Sequence, residues 1–204
     1  MDLLADKILL RPARIEEIPV LQDIDLAASA LFEPTGLIDE GPDGPQPIPE
    51  KNLAEGIKSR NLTLAEFTPE NRPVGFALCR QVRPDLYLDQ ISVHPEFGRR
   101  GLGARLLNAV ISHGDALSLR GVVLSTFRDL KWNGPFYAAH GFEEIPRDQM
   151  KTWMFDLEAL QAESMDVSLR CFMRRPGKAH KNWLRLRKRD QGRDEKRIAT
   201  HSDS

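Results

Sequence analysis

The chain has 204 residues, of which 41% are hydrophobic and 29% charged, and its formal net charge is −1. That length can bury one sizeable core, and no apolar run approaches the roughly 18 residues of a membrane span. A membrane-spanning protein is not expected. The first residues do not read as a secretion signal, so a cytoplasmic setting is the default. Cys79 and Cys171 cannot make a disulfide framework and sit in no metal-ligand spacing, so both are expected in the core.

Charge divides the chain. Beyond Pro176 there are nine Lys or Arg against four Asp or Glu, a net of +5 that leaves −6 on residues 1–176. Residues 1–176 are therefore expected to fold as one domain, and 177–204 to be a disordered basic tail. A mildly acidic body argues against nucleic acid as the main ligand.

In chain order, Lys7 to Arg11 is a short apolar run and Ile15 to Phe32 carries apolar residues near helical spacing, predicting a strand and then helix. Glu33 to Glu50 holds five prolines, three glycines and five acids, which predicts a long mobile loop. A brief helix over Leu53 to Ser59 precedes a hairpin of strands over Asn61 to Phe67 and Val74 to Val82. Leu86 to Val93 is expected as a strand, followed by a glycine-studded turn and a helix over Leu102 to His113. A β-branched strand over Val122 to Thr126 and a short helix over Gly134 to His140 follow, Pro135 sitting in that helix's first turn. Met150, Trp153, Met154, Leu157 and Leu160 predict an amphipathic helix over 149–162. Val167, Leu169, Cys171 and Met173 alternate with Ser168, Arg170, Phe172 and Arg174 as a closing strand. The interleaving indicates an α/β (α+β) domain around a mixed, mostly antiparallel sheet flanked by helices.

The turn Gly98-Arg99-Arg100-Gly101-Leu102-Gly103-Ala104 lies between a strand and a helix start, where free N–H groups and the helix dipole favour a pyrophosphate. A dinucleotide fingerprint would need glycine where Leu106 stands. A phosphate loop would need Lys and a hydroxyl where Ala104 and Arg105 stand. Neither fits.

With Val93-His94-Pro95 at the strand end and Gly101 and Gly103 in the turn, the chain resembles the GNAT superfamily of N-acetyltransferases, whose acetyl-CoA signature is Gln or Arg-x-x-Gly-x-Gly or Ala. It departs at the first position, which is Gly98; the neighbouring Arg99 and Arg100 can supply the lost charge. Asn133, Tyr137 and the Gly141-Phe142 pair extend the resemblance, which is strongest over residues 86–142. It implies a GNAT-like fold and acetyl-CoA as co-substrate, with no metal. The turn from Gly98 to Ala104 would take the pyrophosphate, and the N–H groups of Ile91 and Val93 would receive the pantetheine as an added strand.

Acetyl transfer from a thioester needs a neutral amine, a polarised carbonyl and a proton for the departing thiolate. Tyr137 is the candidate acid, its alternative being a core aromatic. Asn133 either bonds the pantetheine amides or caps the helix that begins there. Asp89 is the carboxylate on the 86–93 strand, where period two puts it on one face with Ile91 and Val93, and Gln90 on the other with Leu88 and Ser92. It is either the general base or a structural ion pair. Trp132, with Phe127 and Phe136, is a candidate wall of the acceptor pocket. Glu33, Asp39, Glu40, Asp43 and Glu50 place five acids on the long loop, which would draw a cationic amine.

The expected activity is N-acetyl transfer from acetyl-CoA to a primary amine, on a small molecule or a peptide, by direct attack in a ternary complex. A non-catalytic acyl-CoA-binding or sensing module is the alternative. Self-association as a homodimer stays open. Lys181, Arg185, Arg187, Lys188 and Arg189 around Trp183 suit a solvated tail first, with a nucleic-acid or acidic-partner role as the alternative.

Overall fold

The computed structural model describes residues 5–39 and 41–180. Glu40 and the tail basic cluster from Lys181 to Arg189 lie outside them.

Seven strands form one sheet in the order β1-β2-β3-β4-β5-β7-β6: β1 Ile8–Pro12, β2 Leu62–Phe67, β3 Arg72–Val82, β4 Asp85–Val93, β5 Gly121–Phe127, β6 Glu143–Glu144 and β7 Arg170–Pro176. All neighbours are antiparallel except β4 and β5. The helices are α1 Ile18–Ser29, α2 Glu50–Lys58, α3 Leu102–Ala116, α4 Gly134–Ala139 and α5 Thr152–Gln161. The mixed, mostly antiparallel sheet flanked by helices is the expected architecture. Among the described residues no helix is long and apolar enough to cross a membrane.

Both sheet faces are buried. Leu102, Leu106, Leu107 and Val110 of α3 pack with Ala77, Leu86, Leu88 and Leu124 on one face, and Phe136 and Tyr137 of α4 close the same cluster. On the other face Leu21 and Ile24 of α1 and Leu53 of α2 meet Leu64, Phe76 and Leu78, while Met154 of α5 meets Tyr87, Val123 and Phe172. Cys79 and Cys171 are buried thiols, as expected.

Three local expectations change. The closing strand begins at Arg170, because Asp166 accepts the Ser168 N–H and curls 167–169 into a turn. Its sides do not alternate between core and solvent: Cys171, Phe172 and Met173 are all buried, since helices cover both faces. The segment 33–49 is tied down: Gln22 Nε2 donates to the Ile48 carbonyl, the Asp39 N–H donates to Ser164, and Ile38 bridges Met165. At the far end, Gly177 N–H donates to Arg120 and Lys178 N–H to Asp115, so ordered contacts continue past Pro176.

Near the sheet edge, Arg11 is gripped by Glu17 at 2.6 Å and Glu66 at 2.5 Å. Arg11 holds the Glu17 carboxyl down to about 2 from its ordinary 4.5. A depressed carboxylate stabilises the folded state above pH 4.5, and this is lost as pH falls towards 2. Glu17→Gln should therefore cost about 2 kcal/mol in urea unfolding at neutral pH, and the deficit should shrink as pH falls from 4.5 towards 2. A pH-independent deficit would contradict the assignment.

Candidate active site

Parallel strands β4 and β5 pair only at Leu86–Val122 and Tyr87–Val123, then part. The notch between them is the centre of the site. His94 N–H donates to Val74 of β3, so by strand alternation the backbones of Ser92 and Gln90 face β3 and those of Val93 and Ile91 face the notch. Across it, Arg128 N–H donates to Leu169 beside β7, which turns Ser125 and Phe127 toward the opening. The Tyr87 hydroxyl meets the Ser125 backbone where the strands separate.

A bulge shapes the β4 side. Leu78 pairs with Gln90 and Cys79 with Leu88, leaving Asp89 as the extra residue. This corrects the expected alternation. Leu88 lies on the α3 face with Ile91 and Val93, while Gln90 and Ser92 face α1, where both donate to the buried Asp25 at 2.9 and 2.7 Å. Asp25 also accepts the Ile48 N–H, joining α1, the long loop and β4. Asp89 does not share the α3 face. Its Oδ1 accepts from Arg80 Nε at 3.0 Å, and burial, opposed by Arg80, pushes its carboxyl up to about 6.

At the glycine turn, Gly101 has φ +75°, a conformation glycine adopts without strain, and it leads into α3 with no side-chain cap. Among the described residues no hydrogen bond reaches any backbone N–H from Arg99 to Ala104. Six donors at a helix start suit a pyrophosphate. Arg99 and Arg100 are exposed beside them. A Cβ on Gly103 would lie 4.0 Å from Phe136 Cζ, so the turn and α4 stand on either side of one groove.

Tyr137 sits on α4 against Phe136 and Phe142, with centroids at 5.1 and 5.8 Å. Its hydroxyl has no hydrogen-bond partner among the described residues, and burial pushes its pKa up to about 12, so it stays protonated. Asn133 heads α4 without a side-chain cap. Its Oδ1 accepts from Thr126 Oγ1 at 2.9 Å, and its Nδ2 is buried with no partner. An orphaned amide donor beside the notch fits an acyl-chain carbonyl better than a capping role.

The candidate aromatic wall divides. Trp132, 45% exposed, and Phe127 both pack on Phe32, which directly precedes the long loop, with ring centroids at 6.4 and 5.9 Å, whereas Phe136 lies on the α3 side. Glu33 is exposed next to Phe32. Asp39 is exposed too, and its carboxylate accepts the Gly41 N–H. Asp25, Phe32, Tyr87 and Arg170 were not singled out from sequence. The one available signal was Phe172, an apolar residue on the supposedly polar side of the closing strand, which implies that its neighbour Arg170 is covered as well.

The acetyltransferase (GNAT) family model matches residues 31–142, more than half of the chain. The chain is 39% identical over 77 residues to the ribosomal protein bS18-alanine N-acetyltransferase of Salmonella typhimurium. That match covers 38% of this chain and 49% of the relative, so the chain spans about half the length of the relative. Among solved structures, N-acetylglutamate synthase from Neisseria gonorrhoeae, complexed with coenzyme A and N-acetyl-glutamate, superposes with a TM-score of 0.61 at 17% identity. It covers 83% of this chain and 35% of that one. A ribosomal-protein alanine N-acetyltransferase from Escherichia coli gives 0.57 at 18%, over 83% and 93% of the two chains. These likenesses establish the fold.

Gly103→Glu would set a carboxylate among the free amides while leaving room for the fold. Calorimetry with coenzyme A should show affinity reduced by roughly 10-fold or more, the worth of one lost charge-assisted contact. Unchanged affinity in the folded variant would move the pyrophosphate elsewhere.

Proposed function

The chain belongs to the acetyltransferase (GNAT) family, and from that premise we propose that it moves the acetyl group of acetyl-CoA to a primary amine, borne by a small molecule or a peptide. The observation that carries the reading is the parting of β4 from β5 between a turn of free amides and two titratable side chains. The pyrophosphate rests on the N–H groups from Arg99 to Ala104. The pantetheine runs into the notch as a partial strand on Ile91 and Val93, with Asn133 Nδ2 donating to one of its carbonyls.

The amine enters from the face of α1 and α5. Asp89, with a carboxyl near 6, is ionised at neutral pH and takes the ammonium proton, directly or through a water. The neutral amine then attacks the thioester carbonyl, whose oxygen is polarised by a notch-facing N–H of β4. The C–S bond breaks and the electron pair leaves on sulfur. Tyr137, still protonated because its pKa lies near 12, gives its proton to that thiolate, and the second proton shed by the new amide nitrogen returns through water to the tyrosinate. Both acid and base are then in the required state across the neutral range.

Release of the coenzyme A thiol, followed over a panel of amines, tests the reading. Tyr137→Phe should hold acetyl-CoA affinity and lower turnover by ~10²-fold, the scale of general acid catalysis. In the parent, kcat/KM should rise with pH through about 6 as Asp89 loses its proton. Asp89→Asn should lower kcat/KM by ~10²-fold and remove that limb. Acetyl-CoA binding without thiol release for any amine would mark a binding module instead. A limb that survives in Asp89→Asn would assign the base elsewhere.

A further inference from the structure

A cleft of about 90 Å³ opens at the end of β5 and β7, beneath the C-terminus of α5. Its charged lining is three arginines, Arg128, Arg147 and Arg170, against two glutamates, Glu144 and Glu158. The glutamates are already taken: Glu144 pairs with Arg128 at 3.0 Å and Glu158 with Arg147 at 2.9 Å. Arg170 is left as the unbalanced charge.

Its surroundings show why this matters. Arg170 is half-buried, with Nε donating to Gln161 Oε1 at 3.2 Å and one terminal nitrogen to Ser125 Oγ at 3.2 Å. Its guanidinium carbon lies 4.7 Å from the centroid of Phe127. Two neutral acceptors and an aromatic face fix the fork in place and leave its other donors uncommitted. Burial pushes its pKa down, and no carboxylate among the described residues compensates. A desolvated guanidinium without a counter-ion is costly, and a polar neutral side chain would serve the same structural bonds at lower cost. Arg170 thus holds to Ser125 and Phe127, the two β5 residues whose backbones turn toward the notch, and this sets it at the edge of the site proposed to react.

We propose that Arg170 binds a carboxylate on the acceptor, within a few bonds of the amine that is acetylated. The inference rests on the transferase reading and narrows its substrate class to amino acids, or to peptides whose first residues carry an acid. A bidentate carboxylate fits the planar fork, and its charge neutralises the cleft. The acids of the long loop are compatible with this, since such an acceptor carries an ammonium as well.

Matched amines test it in the full chain: free amino acids against their α-carboxamides, and peptides beginning with Asp or Glu against those beginning with Asn or Gln. Thiol release should favour the carboxylate member of one set by roughly 10- to 100-fold in kcat/KM, the scale of a buried charge-assisted contact. Which set responds tells a free amino acid from an acidic peptide. Arg170→Gln should bring that ratio close to one, and Arg170→Lys should restore part of it, with acetyl-CoA binding measured on each variant to confirm folding. The parent's own ratio decides the matter if the variants fail to fold. Turnover indifferent to the carboxylate, or a preference that persists in Arg170→Gln, overturns the assignment of Arg170 alone. No turnover with any amine overturns the transferase reading beneath it.

Discussion

Two strands cannot part inside a sheet without leaving backbone groups unpaired, and each buried unpaired group costs on the order of 1–3 kcal/mol. Strands β4 and β5 separate after Tyr87 and Val123, with α3 and α4 on one face and α1 and α5 on the other. We propose that an extended ligand meets that cost. Further along, the buried Asn133 Nδ2 is an unfilled donor of the same kind, and the amides from Arg99 to Ala104 lie open at a helix start. We propose that a ligand with a pyrophosphate at one end and amide groups along its length satisfies them together.

The bulge at Asp89 shows how one extra residue sets the site's geometry. It lets Leu88 and Ile91 bury on the same side, and it frees Asp89 from the ladder to meet Arg80. Gln90 and Ser92 then point at Asp25 of α1, which also holds Ile48. One buried carboxylate thus ties the β4 side of the notch to the long loop, which follows directly on the Phe32 that packs on Phe127 and Trp132. On the proposed reading, cofactor side and acceptor side are built from opposite faces of the same strand.

Sequence conveyed the architecture well because helix and strand periods are local signals. The strand, glycine turn and helix from Leu86 to His113 were legible for that reason, as was the short helix at Pro135. What sequence could not convey depends on pairing between distant segments. The bulge is a mismatch between β3 and β4, invisible to a strict alternation rule, and it moved Asp89 off the face expected for it. Five prolines made the 33–50 segment look untethered, whereas its anchors, Gln22, Asp25 and Ser164, come from elsewhere in the chain. Arg170 looked like a solvent-facing residue of an amphipathic strand until α5 was seen to cover that face.

The central claim is that the notch and the glycine turn form one continuous binding surface for acetyl-CoA. Amide hydrogen exchange with and without acetyl-CoA tests it directly, because the donors proposed on β4 and on the turn are backbone N–H groups. The account predicts slowed exchange at Ile91 and Val93 together with the turn from Arg99 to Ala104, while the partner-facing amides Ser92 and His94 change little. Protection confined to the turn, or appearing away from both segments, would contradict it.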